Sequence, residues 1–250
     1  SSPALSAPNA VKRAQTVYLA GDSTMAQAKD NTQGWGVYLP YSLTLPVTNL
    51  ALGGRSTRSY TREGRFATLL SRVQPSDIVI IEFGHNDGGS LSKDNGRSVC
   101  PGAGSETCKT TYNNAPETVL TYPAYLIAAG SALAAKGARV IISSPTPNNP
   151  WEGGVFSYAP GRFRDYARSA AKAIGSAAVF VDHGLYTANA FQALGKAKVD
   201  KLFPNDHTHT SAEGADVVHR AFVKALLCAG GGGLEGGVRN ATEGVEGKCV

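Results

Sequence analysis

Ser23, in Gly21-Asp22-Ser23-Thr24, and His209, in Asp206-His207-Thr208-His209, are the side chains of this sequence best suited to hydrolysis through a nucleophile. A serine hydroxyl attacks a carbonyl only when a base stands beside it, a third group orients that base, and donors receive the charge that forms on the oxygen. The chain has five histidines, His85, His183, His207, His209 and His219. Asp206 precedes His209 by three residues, so within one helical turn the two side chains would face the same way. The carboxylate would then take one ring proton while the other ring nitrogen met the serine, the base–orienter pair of a triad. Other readings exist. Gly-Asp-Ser is also turn and helix-cap chemistry. Asp206, His207 and His209 form a short His-rich tract of the kind that binds metals, but no fourth ligand or second cluster accompanies it, so no metal and no cofactor is expected. Asp182-His183 closes a strand-like run, where adjacent residues face opposite ways, and reads as structural.

Two further segments hold donors. Gly53-Gly54-Arg55-Ser56 follows an apolar run, and glycine allows the close backbone approach that presents an N–H to a ligand. Phe83-Gly84-His85-Asn86-Asp87 follows another, and the Asn86 amide offers a donor that does not titrate. Arg55, Arg58, Arg62 and Arg65 lie near the same edge as possible bidentate partners for carboxylates, or as a solvated helix face. Trp151 and Tyr122 offer ring faces for sugars or, equally, side chains for packing.

Five strand-like runs must position these residues: Thr16–Ala20, Val47–Leu52, Asp77–Phe83, Ala138–Ser143 and Ala178–Asp182. Helix-like segments alternate with them at Trp35–Leu43, Tyr60–Leu70, Ala115–Lys136, Arg162–Ile174 and Ser211–Leu227. Alternation of this kind predicts an α/β fold, a single three-layer α/β/α domain around a parallel sheet with right-handed crossovers. Ser23, Gly54 and Asn86 then all sit at carboxyl ends of strands, where open α/β sheets bind ligands. The stretch from Gly88 to Asn114 reads as a long excursion beside that edge, of a length usually tied to function. Residues 229–250, with the tract Gly230-Gly231-Gly232-Gly233, read as a flexible, exposed tail.

At 250 residues and 42% hydrophobic, the chain can bury one sizeable core. No run approaches the ~18 apolar residues of a membrane span. The net charge is +5, but the basic residues are scattered, which argues against nucleic acid. A mild basic balance would still favour approach to an anionic polymer. The four cysteines suggest two local disulfides, Cys100–Cys108 and Cys228–Cys249, although three pairings are formally open. Such pairs imply an oxidising, extracellular setting. The sequon Asn240-Ala241-Thr242 agrees with that setting, and Ser1-Ser2-Pro3 reads as a mature N-terminus after cleavage.

The ordered set Gly21-Asp22-Ser23-Thr24, Gly54, Gly84-His85-Asn86-Asp87 and Asp206-His207-Thr208-His209 resembles the SGNH (GDSL-type) hydrolases over nearly the whole chain. The resemblance implies a five-stranded parallel sheet in flavodoxin-like order 2-1-3-4-5. It also implies Ser23 as nucleophile, His209 as base and Asp206 as orienter. The oxyanion hole would be made by the Ser23 N–H, the Gly54 N–H and the Asn86 amide. Gly34-Trp35-Gly36, Ser59-Tyr60-Thr61-Arg62-Glu63-Gly64-Arg65-Phe66, Thr146-Pro147-Asn148-Asn149-Pro150-Trp151 and the four-cysteine layout are similar to the fungal rhamnogalacturonan acetylesterases. That branch implies a secreted enzyme acting on acetylated plant cell-wall pectin. A monomer without nucleic-acid or membrane partners is expected, with Arg55 and Trp151 as candidate substrate contacts. Acetylated xylan, another ester, or a catalytically silent polysaccharide-binding module are the alternatives.

Overall fold

The apolar runs pair as the five parallel strands of one sheet. A computed structural model describes residues 13–239 and 249–250; the expectations for Ser1-Ser2-Pro3 and Asn240 lie outside the described residues. The sheet strands are β1 (Val17–Gly21), β2 (Val47–Asn49), β3 (Ile78–Glu82), β6 (Arg139–Ser143) and β7 (Ala178–Val181), with β4 (Thr107–Tyr112) and β5 (Ala115–Leu120) forming a separate hairpin. The order is β2-β1-β3-β6-β7, which is 2-1-3-4-5 once the hairpin is set aside. Register is fixed through β1, whose Val17 faces Val47 on one side and Ile78 on the other.

A parallel sheet covered on both faces needs apolar residues pointing both ways, and the strands supply them. Val17, Leu19, Ile78 and Ile80 enter one core with Trp35, Phe191 and Phe222. Tyr18, Ala20, Val79 and Ile81 enter another with Tyr60, Phe83, Leu126 and Ala170. The flanking helices are α1 (Leu39–Ser42), α2 (Thr57–Arg62), α3 (Arg65–Arg72), α4 (Tyr122–Ala135), α5 (Arg162–Ile174), α6 (His183–Leu194), α7 (Lys196–Val199) and α8 (Ala212–Cys228). Ser211 caps α8, its side chain accepting from the Gly214 N–H.

Three expectations are corrected. The helix expected over Ala115–Lys136 begins only at Tyr122; Ala115–Leu120 is β5, paired antiparallel with β4. Asn113 and Asn114 both take positive φ, 51° and 60°, as a two-residue hairpin turn requires. Thr121 then caps α4 through the Ala124 N–H. The alanines that dominate α4 masked the β-branched Thr118 and Val119 before it. Second, His183 does not end a strand but opens α6. Third, the glycine tract is only partly exposed: Gly230 and Gly233 face solvent, but Gly231, Gly232 and Leu234 are buried. Gly232 has φ 58°, and a Cβ there would lie 2.9 Å from Val179 and 3.0 Å from Ile141, so only glycine lets the chain run this close beneath β6 and β7. Val238 forms a bridge to Leu43. Cys100 is bonded to Cys108, and Cys228 to Cys249.

Candidate active site

Ser23 leaves β1 in a tight turn made by its neighbours. The Asp22 carboxylate accepts from the Thr24 N–H and hydroxyl, both at 2.9 Å, and the Ala26 N–H bonds the Asp22 carbonyl. The turn holds Ser23 half-buried at the sheet edge. His209 Nε2 lies 2.8 Å from Ser23 Oγ, and His209 Nδ1 lies 2.7 Å from Asp206 Oδ2. Ser23, His209 and Asp206 thus form one hydrogen-bonded line.

The Asp206–His209 segment is not the helical turn its spacing suggests. It is a loop folded around its own carboxylate, in which Asp206 Oδ1 accepts the backbone N–H groups of Thr208 (2.7 Å) and His209 (2.8 Å). Burial pushes the Asp206 carboxyl up, but the bonds from the His209 ring and these two N–H groups outweigh it and hold it at about 2. The neighbouring loop braces this one: Asn149 N–H bonds the His207 carbonyl, and Thr208 Oγ1 donates to Asn148 Oδ1. His207 turns to Glu152. The His209 and Asp206 side chains are 37% and 45% exposed, so the line opens to solvent. Beside it lies a cleft of about 260 Å³ lined by Ala28, Thr32, Gln33 and Asn205.

The turn after β2 runs beside Ser23. A Cβ added at Gly53 would lie 3.6 Å from the Ser23 Cβ. Gly54 has φ 75°, a backbone state that disfavours other residues. Among the described residues, the Ser23 and Gly54 N–H groups have no protein acceptor. Asn86 Nδ2 gives one proton to the Arg55 carbonyl at 3.1 Å and keeps its second; Asn86 Oδ1 accepts from Arg97 Nη1 at 3.1 Å. A carbonyl can only accept and a guanidinium only donate, so the orientation of this amide is fixed by its partners.

Beneath the site the same sheet edge carries three buried carboxyls. Glu82, paired in register with Gly21, accepts from Trp35 Nε1 (2.8 Å) and Ser143 Oγ (2.5 Å) and meets His183 Nδ1 (2.7 Å). His183 Nε2 faces the Val218 carbonyl, so this histidine and Asp182, which binds Arg164, are structural, as expected. Asp87 accepts from the Thr57 N–H and hydroxyl. Burial pushes its carboxyl up to about 7, with the Asp22 charge adding to burial and the Thr57 hydrogen bonds opposing it. Burial likewise raises Asp22. The Oδ2 atoms of Asp22 and Asp87 are both buried without a partner.

Several expected substrate contacts are occupied. Arg58 is fully buried between Asp94 and Glu117, and Tyr122 is buried with its hydroxyl on the Phe83 carbonyl; neither can meet a sugar. Arg62 bonds the Gly96 carbonyl, and Arg65 bonds Glu63. Arg55 pairs with Glu63 and donates to the Gly53 carbonyl. Trp151 is half-buried, donates Nε1 to the Phe191 carbonyl and packs against the core. Sequence reasoning missed Arg97, Asp22 and Asp87. The two aspartates were visible as charges directly at the ends of apolar runs; Arg97 offered only an Asn-Gly turn before it.

The model of the GDSL-like lipase/acylhydrolase family matches residues 19–217, and the chain belongs to that family. It is 58% identical over 217 residues to a rhamnogalacturonan acetylesterase of Emericella nidulans, covering 87% of this chain and 86% of that protein. Among solved structures, a Bacillus subtilis protein superimposes with a TM-score of 0.68 at 22% identity, over 87% of this chain and 57% of that longer one. An acetylxylan esterase from Geobacillus stearothermophilus superimposes with a TM-score of 0.58 at 15% identity, covering 85% of this chain and 94% of that one. These two show the shared fold.

Proposed function

We propose that this member of the GDSL-like lipase/acylhydrolase family is a secreted carbohydrate esterase that removes acetyl groups from rhamnogalacturonan, through a covalent acetyl–Ser23 intermediate. The observation that carries the reading is the line Ser23–His209–Asp206, at 2.8 and 2.7 Å, flanked by backbone donors without acceptors. The identity to a rhamnogalacturonan acetylesterase supports the substrate. The two disulfides support an oxidising compartment. Helix-bearing cores on both faces of the sheet support the three-layer arrangement.

In this mechanism Ser23 Oγ attacks the acetyl carbonyl carbon as His209 Nε2 takes its proton. The carbonyl electron pair moves to oxygen, where the Ser23 N–H, the Gly54 N–H and the second Asn86 proton receive it. The tetrahedral centre then collapses, the bond to the sugar oxygen breaks, and His209 returns the proton to that oxygen. Water, deprotonated by His209, attacks acetyl–Ser23; acetate leaves and Ser23 regains its proton. Asp206, ionised throughout, keeps the ring in the productive tautomer and stabilises the imidazolium.

Acetylated xylan is the second reading, favoured by the fold shared with an acetylxylan esterase. Acetate release from acetylated rhamnogalacturonan and from acetylated xylan, by the native protein and by Ser23→Ala, separates the two. Faster release from xylan would overturn the pectin substrate, and equal release by the variant would overturn the nucleophile. Release from neither polymer, with no labelling by a serine-reactive phosphonate, would favour a silent binding module.

A further inference from the structure

We propose that Arg97 is a specificity-determining residue: it binds the carboxylate of a galacturonate unit at the acetylated position while holding Asn86 in place. This rests on the pectin reading above. The arginines after β2 cannot do this work, because each already meets a carboxylate: Arg55 and Arg65 share Glu63, and Arg58 and Arg62 share Glu117, with Asp94 also on Arg58. Arg97 differs. Its guanidinium contacts the neutral Asn86 amide through Nη1. Among the described residues, its Nε and second Nη have no protein acceptor. That leaves the edge of the guanidinium that binds carboxylates in bidentate fashion.

Its position fits the role. A Cβ built on Gly54 would lie 3.9 Å from Arg97 Nη1, so the charge lies over the backbone that offers a donor to the acetyl oxygen. The loop that carries it is pinned. Asn95 Oδ1 accepts the N–H groups of Arg97 (2.9 Å) and Ser98 (3.2 Å), Ser98 Oγ donates to the Gly88 carbonyl (3.0 Å), and the Ser98 carbonyl accepts from buried Arg58 (2.9 Å). Cys100, two residues further, is tied to Cys108. An arginine fixed this way loses little freedom on binding. A galacturonate that places its acetyl carbonyl among Ser23, Gly54 and Asn86 carries its own carboxylate on the same ring.

The test compares acetylated rhamnogalacturonan oligosaccharides with their methyl-esterified counterparts, reading acetate release by wild type, Arg97→Ala and Arg97→Gln. In wild type, esterifying the carboxylates should raise KM about tenfold, the scale of one charge-assisted contact. In the variants the ratio of kcat/KM between the two substrates should fall to about one. A variant ratio equal to that of wild type would overturn the proposal and leave Arg97 as a support for Asn86 alone. A second measurement needs no variant: deacetylated oligosaccharides should inhibit wild type about tenfold more tightly than their methyl esters, and equal inhibition would also overturn it. Acetate release from xylan but not from pectin would remove the substrate reading and this proposal together. Release from pectin with an unchanged variant ratio would remove this proposal only.

Discussion

The carboxyls around Ser23 fall into two groups that differ in where they stand and in what surrounds them. Asp206 is almost half exposed, yet three donors hold it at about 2. Asp87 is buried one residue from Asn86, has donors on a single oxygen, and is raised to about 7. Asp22 is raised for the same reason. The number of donors decides against the depth of burial. A carboxylate meant to stay charged through a reaction is better placed at the surface under three hydrogen bonds than inside under two. The buried group braces instead. Asp22 shapes the turn that presents Ser23, Asp87 fixes the start of α2, and Glu82 gathers Trp35, Ser143 and His183 under the sheet edge.

If this contrast is sound, changes to the exposed line should cost activity with little loss of stability, and changes to the buried group should do the reverse. The largest effect is expected for Ser23→Ala, a loss of about 10⁶ in kcat with Tm unchanged, read by acetate release and calorimetry. Asp206→Asn should follow with about 10⁴, because the amide can still accept from the Thr208 and His209 N–H groups but no longer enforces the ring tautomer. His183→Leu should leave Glu82 buried without its charged or polar ring partner and lower unfolding stability by about 3–5 kcal/mol in urea. Equal stability there would break the contrast. Asn86→Ala should lower kcat about 10²–10³-fold on a small neutral ester as well as on polymer.

The last effect is a pH dependence of stability. Burial holds the folded Asp87 carboxyl at about 7, above its ordinary unfolded value of ~3.9. The native state therefore holds a proton that the unfolded chain has lost. The stabilisation is complete below the unfolded value, declines as pH rises, and is gone above 7. Asp87→Asn, neutral at every pH, should gain in Tm relative to wild type between pH 4 and 8. A constant difference across that range would show that the carboxyl titrates normally.

The exposed line was legible in the sequence only as an ordered set: Ser23, Gly54, Asn86 and the Asp206–His209 pair stand at strand ends or before α8, each ambiguous alone and informative together. The geometry of the last pair was not: spacing suggested a helical turn, and the loop closes instead on backbone N–H groups that no side-chain pattern reports. Arg58 illustrates the second limit. Its burial depends on Asp94 and Glu117, 36 and 59 residues away, so nothing beside it in the chain distinguished it from Arg55. The β4–β5 hairpin was hidden because alanine content, summed over a long window, favoured a helix that Thr121 in fact delimits. Arg97 became visible only when the excursion folded back to set it on Asn86.

Leu234 is completely buried and shares a core with Val17, Leu19 and Phe222, although it lies near the end of the chain and follows four glycines. The turn that ends in Leu234 therefore acts as a keystone, inserted from outside and held by its neighbours. Trimming the protein back to Gly230 would not shave a loose end. It would withdraw a plug from beneath β6 and β7, exposing Ile141 and Val179 and forfeiting roughly 1.5–3 kcal/mol for the leucine alone. Beyond the bridge of Val238 to Leu43 the attachment continues, with the Arg239 N–H on the Ser42 carbonyl, Cys249 bonded to Cys228 and the Val250 N–H on the Tyr186 hydroxyl.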